Sequence, residues 1–188
     1  MDSDGGLRLD YYERVAATFQ SHIEHTSLSV DAIADVAGAA AEQAVTALLG
    51  EKKLLVVAAA LDAGAGITLV ELLRNGLYRE RPALPAVELI ARTAEPSAAG
   101  VKWIAGQLEA LGQPGDLALV FAANLDDAAI EPLATATALR GIEAVWFGQQ
   151  GPGLSLVYPE ADTGSRLVLN QATALCLAEL IDIITFGE

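Results

Sequence analysis

The 188-residue chain predicts an α/β protein, a three-layer α-β-α sandwich built on a five-stranded parallel sheet and preceded by two N-terminal helices. Three observations carry this expectation. Short runs such as Leu54–Ala60 and Leu117–Ala122 are continuously apolar instead of alternating, the pattern of strands buried on both faces. Between such runs lie stretches with three- and four-residue apolar spacing, so strands and helices alternate along the chain. With 53% hydrophobic residues and a mean hydropathy of +0.38, there is enough apolar material for one well-buried core.

Tyr12, Val15, Ala16, Phe19 and Ile23 fall on one helical face and predict the first helix. Ser29 as N-cap, with Asp31 in the first turn, predicts a second, whose apolar set Ile33, Val36, Ala40, Ala44, Ala47 and Leu48 runs to Gly50. Lys53–Ala60 is the first strand, followed by a helix over Ile67–Tyr78. Pro82 and Pro85 mark a loop into the second strand, Ala86–Ile90. A short polar stretch, Thr93–Ala99, leads to a helix through Trp103, Ile104, Gln107 and Leu108. The turn Gly112–Asp116 opens the third strand, Leu117–Ala122, and the helix Ala128–Leu139 stops at Gly141. Ile142–Phe147 and Leu154–Tyr158 are the last strands, and Leu167–Ile184 is a long apolar final helix. The expected organisation is a single domain over 1–188, with residues 1–50 as a helical pair and 53–188 as the sandwich.

There are 25 acidic against 11 basic residues, a net charge of −14, which opposes direct binding to nucleic acid or to an anionic membrane surface. A cationic protein patch suits this charge better. The single Cys176 permits no intramolecular disulfide and no cysteine-based zinc cluster, as in a reducing cytoplasm. Met1–Gly6 lacks the order of a secretory signal. The apolar stretches around Leu54–Leu61 and Ile130–Leu139 are too short or too interrupted to span a bilayer. The expectation is a soluble cytoplasmic protein.

Open parallel sheets bind ligands beyond the carboxyl ends of their strands. Here those positions are Leu61-Asp62-Ala63-Gly64 and Asn124-Leu125-Asp126-Asp127, which hold carboxylates and no Ser, Thr, Lys, Arg, His or Cys. Asp62, Asn124, Asp126 and Asp127 are therefore the ligand-cleft candidates. Asp126 and Asp127 suit either a divalent cation, together with Asp62, or the positive end of the next helix, and capping is the expected role. His22 and His25, three residues apart, are read as surface or helix-packing residues, not metal ligands. Trp103 and Trp146 are expected in the core, and Cys176 as a small buried hydrophobe. No metal and no cofactor is expected.

Arg79-Glu80-Arg81-Pro82-Ala83-Leu84-Pro85-Ala86 after a helix, Gly115-Asp116 before an apolar strand, and the N-terminal helices form an ordered set. It resembles the sugar isomerase (SIS) domains of the phosphoheptose isomerase group and, among these, the DiaA-type proteins that bind the replication initiator DnaA. The resemblance covers nearly the whole chain and implies a flavodoxin-like sheet. It places the family's Gly-Asn-Gly at Ala58-Ala59-Ala60 and its first phosphate-binding serine at Asp62. Its serine-threonine-serine cluster falls on Ala122-Ala123-Asn124, and a last serine on Asp127. The catalytic glutamate and histidine fall on Leu72 and Gln171, neither of which titrates near neutral pH. Glu71 points about 100° away around the helix. The family's partner-binding Leu-Phe pair falls on Thr185-Phe186.

Each lost hydroxyl removes a donor worth about 1 kcal/mol, and a carboxylate beside a bound dianion is repulsive. The expected function is therefore a non-catalytic, DiaA-like protein acting through protein contacts with DnaA as a possible partner. The alternative is a phosphoheptose isomerase, or a carbohydrate-derivative-binding module, with an atypical site. The carboxylates would also suit a cationic or unphosphorylated ligand. The resemblance and the surplus of apolar helix surface imply a homotetramer.

Overall fold

The computed structural model describes residues 10–76, 78–91, 98–158 and 161–187; Met1–Gly6 and most of Thr93–Ala99 lie outside them. Strands β1 (Leu54–Ala59), β2 (Ala86–Ala91), β3 (Leu117–Phe121), β4 (Glu143–Gly148) and β5 (Leu154–Val157) form one sheet in the order β2-β1-β3-β4-β5. Every neighbouring pair is parallel. β1 and β3 are buried at every position, as continuous apolar runs require when helices cover both faces.

Alternate residues of β1 serve the two layers. Leu54, Val56 and Ala58 pack with α1 (Tyr11–Leu49), α2 (Ala63–Asn75) and α5 (Thr163–Phe186). Leu55, Val57 and Ala59 pack with α3 (Ala98–Leu111) and α4 (Asp127–Arg140). The five-stranded parallel sandwich expected from the sequence is the one observed.

The N-terminal pair of helices is not. Tyr11–Leu49 is one continuous helix of 39 residues, capped by Asp10, whose Oδ1 accepts from the Glu13 amide at 3.1 Å. Ser29 lies inside it. No proline, and no glycine before Gly38, interrupts the run, and a lone Ser-x-Asp signal does not break a helix whose neighbours keep propagating it. Only its second half is buried, through Ile33, Ala37, Ala40, Ala41, Ala44, Val45 and Ala47. The predicted stripe of the first half is bare: Tyr12 is 82% exposed, Phe19 66% and Ile23 63%.

The link from β4 to β5 has no helix. Parallel strands ordinarily need a dozen or more connecting residues, yet residues 149–153 make this return. The loop folds tightly on Trp146, whose Nε1 donates to the Pro152 carbonyl at 3.0 Å, and a side chain at Gly151 would enter the indole.

Two further expectations fail for one reason. On α3 the inward stripe is Val101, Ile104, Ala105 and Leu108, so Trp103 points outward and is 48% exposed. On α5 the buried stripe runs Thr173, Ala174, Leu177, Ala178 and Ile181, leaving Cys176 exposed. Trp146 is fully buried. The apolar lengths were also underestimated. α1 and α5 each contain an 18-residue window with mean hydropathy of 1.3 and 1.7, long and apolar enough by composition alone to cross a membrane. In the fold the two pack on one another and on the sheet.

Candidate ligand cleft

The strand order reverses between β1 and β3, so their carboxyl ends open the crevice where parallel sheets hold ligands. The chain leaves β1 through a short 3-10 turn, Ala60–Asp62. Ala60 sits at φ +53°, a left-handed backbone that costs a non-glycine residue about 1–2 kcal/mol. This sharp turn sends Asp62 inward, where it is 1% exposed.

Asn124, from the turn after β3, meets it. The Asn124 backbone amide donates to Asp62 Oδ2 at 3.0 Å, and its Nδ2 donates to Oδ1 at 3.0 Å. Asn170 Nδ2, from α5, donates to the same Oδ1 at 2.8 Å. Burial pushes the Asp62 carboxyl up from its ordinary 3.8, against the pull of these donors and of the nearby Arg166 charge. Arg166 itself donates to the Ala123 and Ala161 carbonyls, at 3.2 and 2.9 Å, and so ties the β3 turn to α5.

Asp126 and Asp127 stand apart from this network. Asp126 is the N-cap of α4, accepting from the Ala129 amide at 2.9 Å, and Asp127 accepts from Gln149 Nε2 at 3.3 Å; both are exposed. The three carboxylates therefore do not gather around one point, and among the described residues no group of three or more His, Cys, Asp or Glu side chains could hold a metal ion. Both histidines reach α5 instead. His22 Nδ1 lies 3.1 Å and His25 Nδ1 3.3 Å from the Ser165 hydroxyl, while the Ser165 amide donates to Asp162, the N-cap of α5.

No family model matches the chain. Over 94% of its length it is 24% identical to a phosphoheptose isomerase of Methylococcus capsulatus, covering 98% of that protein. It is 27% identical to a phosphoheptose isomerase of Shewanella denitrificans, again over 94% of its length and 97% of the relative's. Its fold superposes on the structure of a phosphoheptose isomerase from Francisella tularensis with a TM-score of 0.77 at 20% identity, covering 91% of this chain and 97% of that one. In sequence along nearly its whole length, and in fold, the chain is similar to phosphoheptose isomerases.

Leu72 and Gln171, the positions expected from the resemblance to match the catalytic pair, are apolar and neutral. Leu72 packs partly buried against the core beneath α2. Gln171 Nε2 donates to Thr68 Oγ1 at 2.8 Å, bridging α5 to α2. Glu71 is exposed and accepts from Asn75 Nδ2 at 3.1 Å. Thr185 and Phe186 lie at the far end of α5, about 24 Å along the helix from Asn170. There the Arg81 guanidinium sits 5.5 Å from the Phe186 ring, and Thr185 Oγ1 is buried without a partner. Arg81, part of the motif that carried the resemblance, is a structural tie: its Nε is 2.7 Å from Asp182 Oδ1, and it donates to the Leu72 and Leu73 carbonyls.

Asn170 and Arg166 escaped the sequence reading. Asn170 had a signal: it is a lone amide among the apolar residues of the final helix, and a buried polar side chain demands a partner. Arg166 had none, because its charge acts on a turn some forty residues earlier in the chain.

Proposed function

We propose that the chain is a carbohydrate-derivative-binding SIS module of the phosphoheptose isomerase type with an atypical site, one that does not depend on a phosphate group at the β1 turn. The observation that carries this reading is the Asp62 carboxylate, held by Asn124 and Asn170 at the crevice between β1 and β3. Similarity to phosphoheptose isomerases along almost the full length supports a sugar derivative as the ligand class. A buried carboxylate at this point repels a phosphate dianion and leaves a neutral or amino sugar favoured. With Leu72 and Gln171 where a base and an acid would stand, binding is expected and proton transfer between sugar carbons is not. A cytoplasmic setting belongs to the same reading.

Thermal shift and calorimetric titration with sedoheptulose 7-phosphate, sedoheptulose and glucosamine test it. An unphosphorylated sugar should bind at least as well as the phosphate ester. Turnover of sedoheptulose 7-phosphate would instead make the chain an isomerase using other residues.

A second reading, a DiaA-like partner of DnaA, is favoured by the bare apolar stripe of α1 and by Phe186, 38% exposed at the end of α5. The similarity to phosphoheptose isomerases gives it no support. Absence of binding to the N-terminal domain of DnaA at tens of micromolar would remove it.

A further inference from the structure

The Asp62 carboxylate is held as a bound anion would be held. Three N–H donors converge on it: the Asn124 amide at 3.0 Å, Asn124 Nδ2 at 3.0 Å and Asn170 Nδ2 at 2.8 Å. They come from two separate elements, the turn after β3 and the N-terminal third of α5. None of these donors belongs to the 3-10 turn that carries Asp62, so the receiving shell is independent of the side chain it receives. A second observation concerns the far side of that shell. Asn170 is 1% exposed, yet its Oδ1 is buried with no hydrogen-bond partner. Asn170 thus keeps its Nδ2 on Asp62 while its own carbonyl goes unpaired, so the amide is turned as a donor toward the anion position.

We propose that Asn124 and Asn170 form a small-anion pocket that the native chain fills from within, Asp62 acting as a tethered carboxylate that excludes free anions from the crevice. It rests on the reading that this crevice is the ligand end of the fold, and it adds what keeps phosphate out: occupancy as well as charge. The corollary is chemical. Shortening Asp62 to Ala deletes a group the size of formate and leaves the donors in place, so formate should fill the gap as a free ligand.

The test is thermal unfolding of the full chain and of Asp62→Ala in formate, with chloride at equal ionic strength as the reference. The expected result is no specific response from the native chain. Asp62→Ala should gain about 3–5 °C once formate exceeds its dissociation constant tenfold. Asp62→Asn, whose amide still fills the space, should not respond. Adding Asn170→Ala to Asp62→Ala should abolish the gain. Formate stabilising the native chain or Asp62→Asn as strongly as Asp62→Ala would overturn the proposal, as would a folded Asp62→Ala indifferent to formate. Recovery of an insoluble Asp62→Ala by refolding in formate supports it. Should Asp62→Ala fold in neither salt, Asp62→Ser bears the same test, and a folded Asp62→Ser without a formate response counts against the pocket. Failure of every sugar to bind the native chain would remove the functional reading while leaving these anion results to stand or fall alone.

Discussion

At the scale of single residues, Asp62 sets the character of the cleft, and its titration offers a direct check. Its carboxyl is raised in the fold above the ordinary 3.8. Between those two values the folded chain keeps a proton that the unfolded chain has lost, so stability falls as pH rises through that window and levels off above it. The difference in unfolding free energy between the native chain and Asp62→Asn, followed by urea denaturation upward from pH 4, should shift in favour of the Asn variant. A flat difference would mean that burial does not govern this group. Two residues earlier, Ala60 holds a left-handed backbone at φ +53°. Ala60→Gly relieves that strain at some entropic cost, so its unfolding free energy should hold or rise, by up to ~1 kcal/mol in chemical denaturation. Asp62 was visible in the sequence because a carboxylate at a strand end is conspicuous. Asn124 was legible beside it as a cleft residue, but Asn170 was not, since its hydrogen bond depends on how α5 crosses the sheet.

At the scale of elements, the strands were the most legible part of the chain, because burial on both faces leaves an unmistakable apolar run in β1 and β3. Helix ends were less so. Ser29 carries a capping signal that the continuous α1 overrides, and the orientation of Trp103 depends on a stripe whose phase is set by packing. The tight return from β4 to β5 rests on Gly148, at φ +93°, where a Cβ would lie 2.4 Å from Ala123 Cα in the turn that presents Asn124. Gly148→Ala should cost about 2–3 kcal/mol in chemical denaturation and disturb the Asp62 network with it. The join of α2 to α5 depends on Arg81 and Asp182, whose side chains are 2% and 8% exposed. Removing one partner leaves a buried charge, so Arg81→Ala should lose about 3–5 kcal/mol, and pairing Arg81→Met with Asp182→Leu should restore much of it.

At the scale of the molecule, the bare stripe of α1 is the surface on which the homotetramer expected from the sequence can be tested. Tyr11, Tyr12, Val15, Phe19 and Ile23 are all more than half exposed, and contiguous exposed apolar surface is a mark of interaction sites. The tetramer we propose would cover it. Light scattering should report four copies, and Phe19→Glu with Ile23→Glu should shift the mass downward while leaving the sheet core intact by circular dichroism. A monomeric native chain contradicts this. The central proposal concerns the cleft: on a fold like that of the phosphoheptose isomerases, the Asp62 carboxylate of the β1 turn disfavours a phosphate group there. Calorimetric titration of the native chain with sedoheptulose 7-phosphate, beside unphosphorylated sedoheptulose, addresses it most directly. Binding of the free sugar at least as tight as that of its phosphate ester is the expected result; a phosphate ester bound tenfold more tightly would contradict the account.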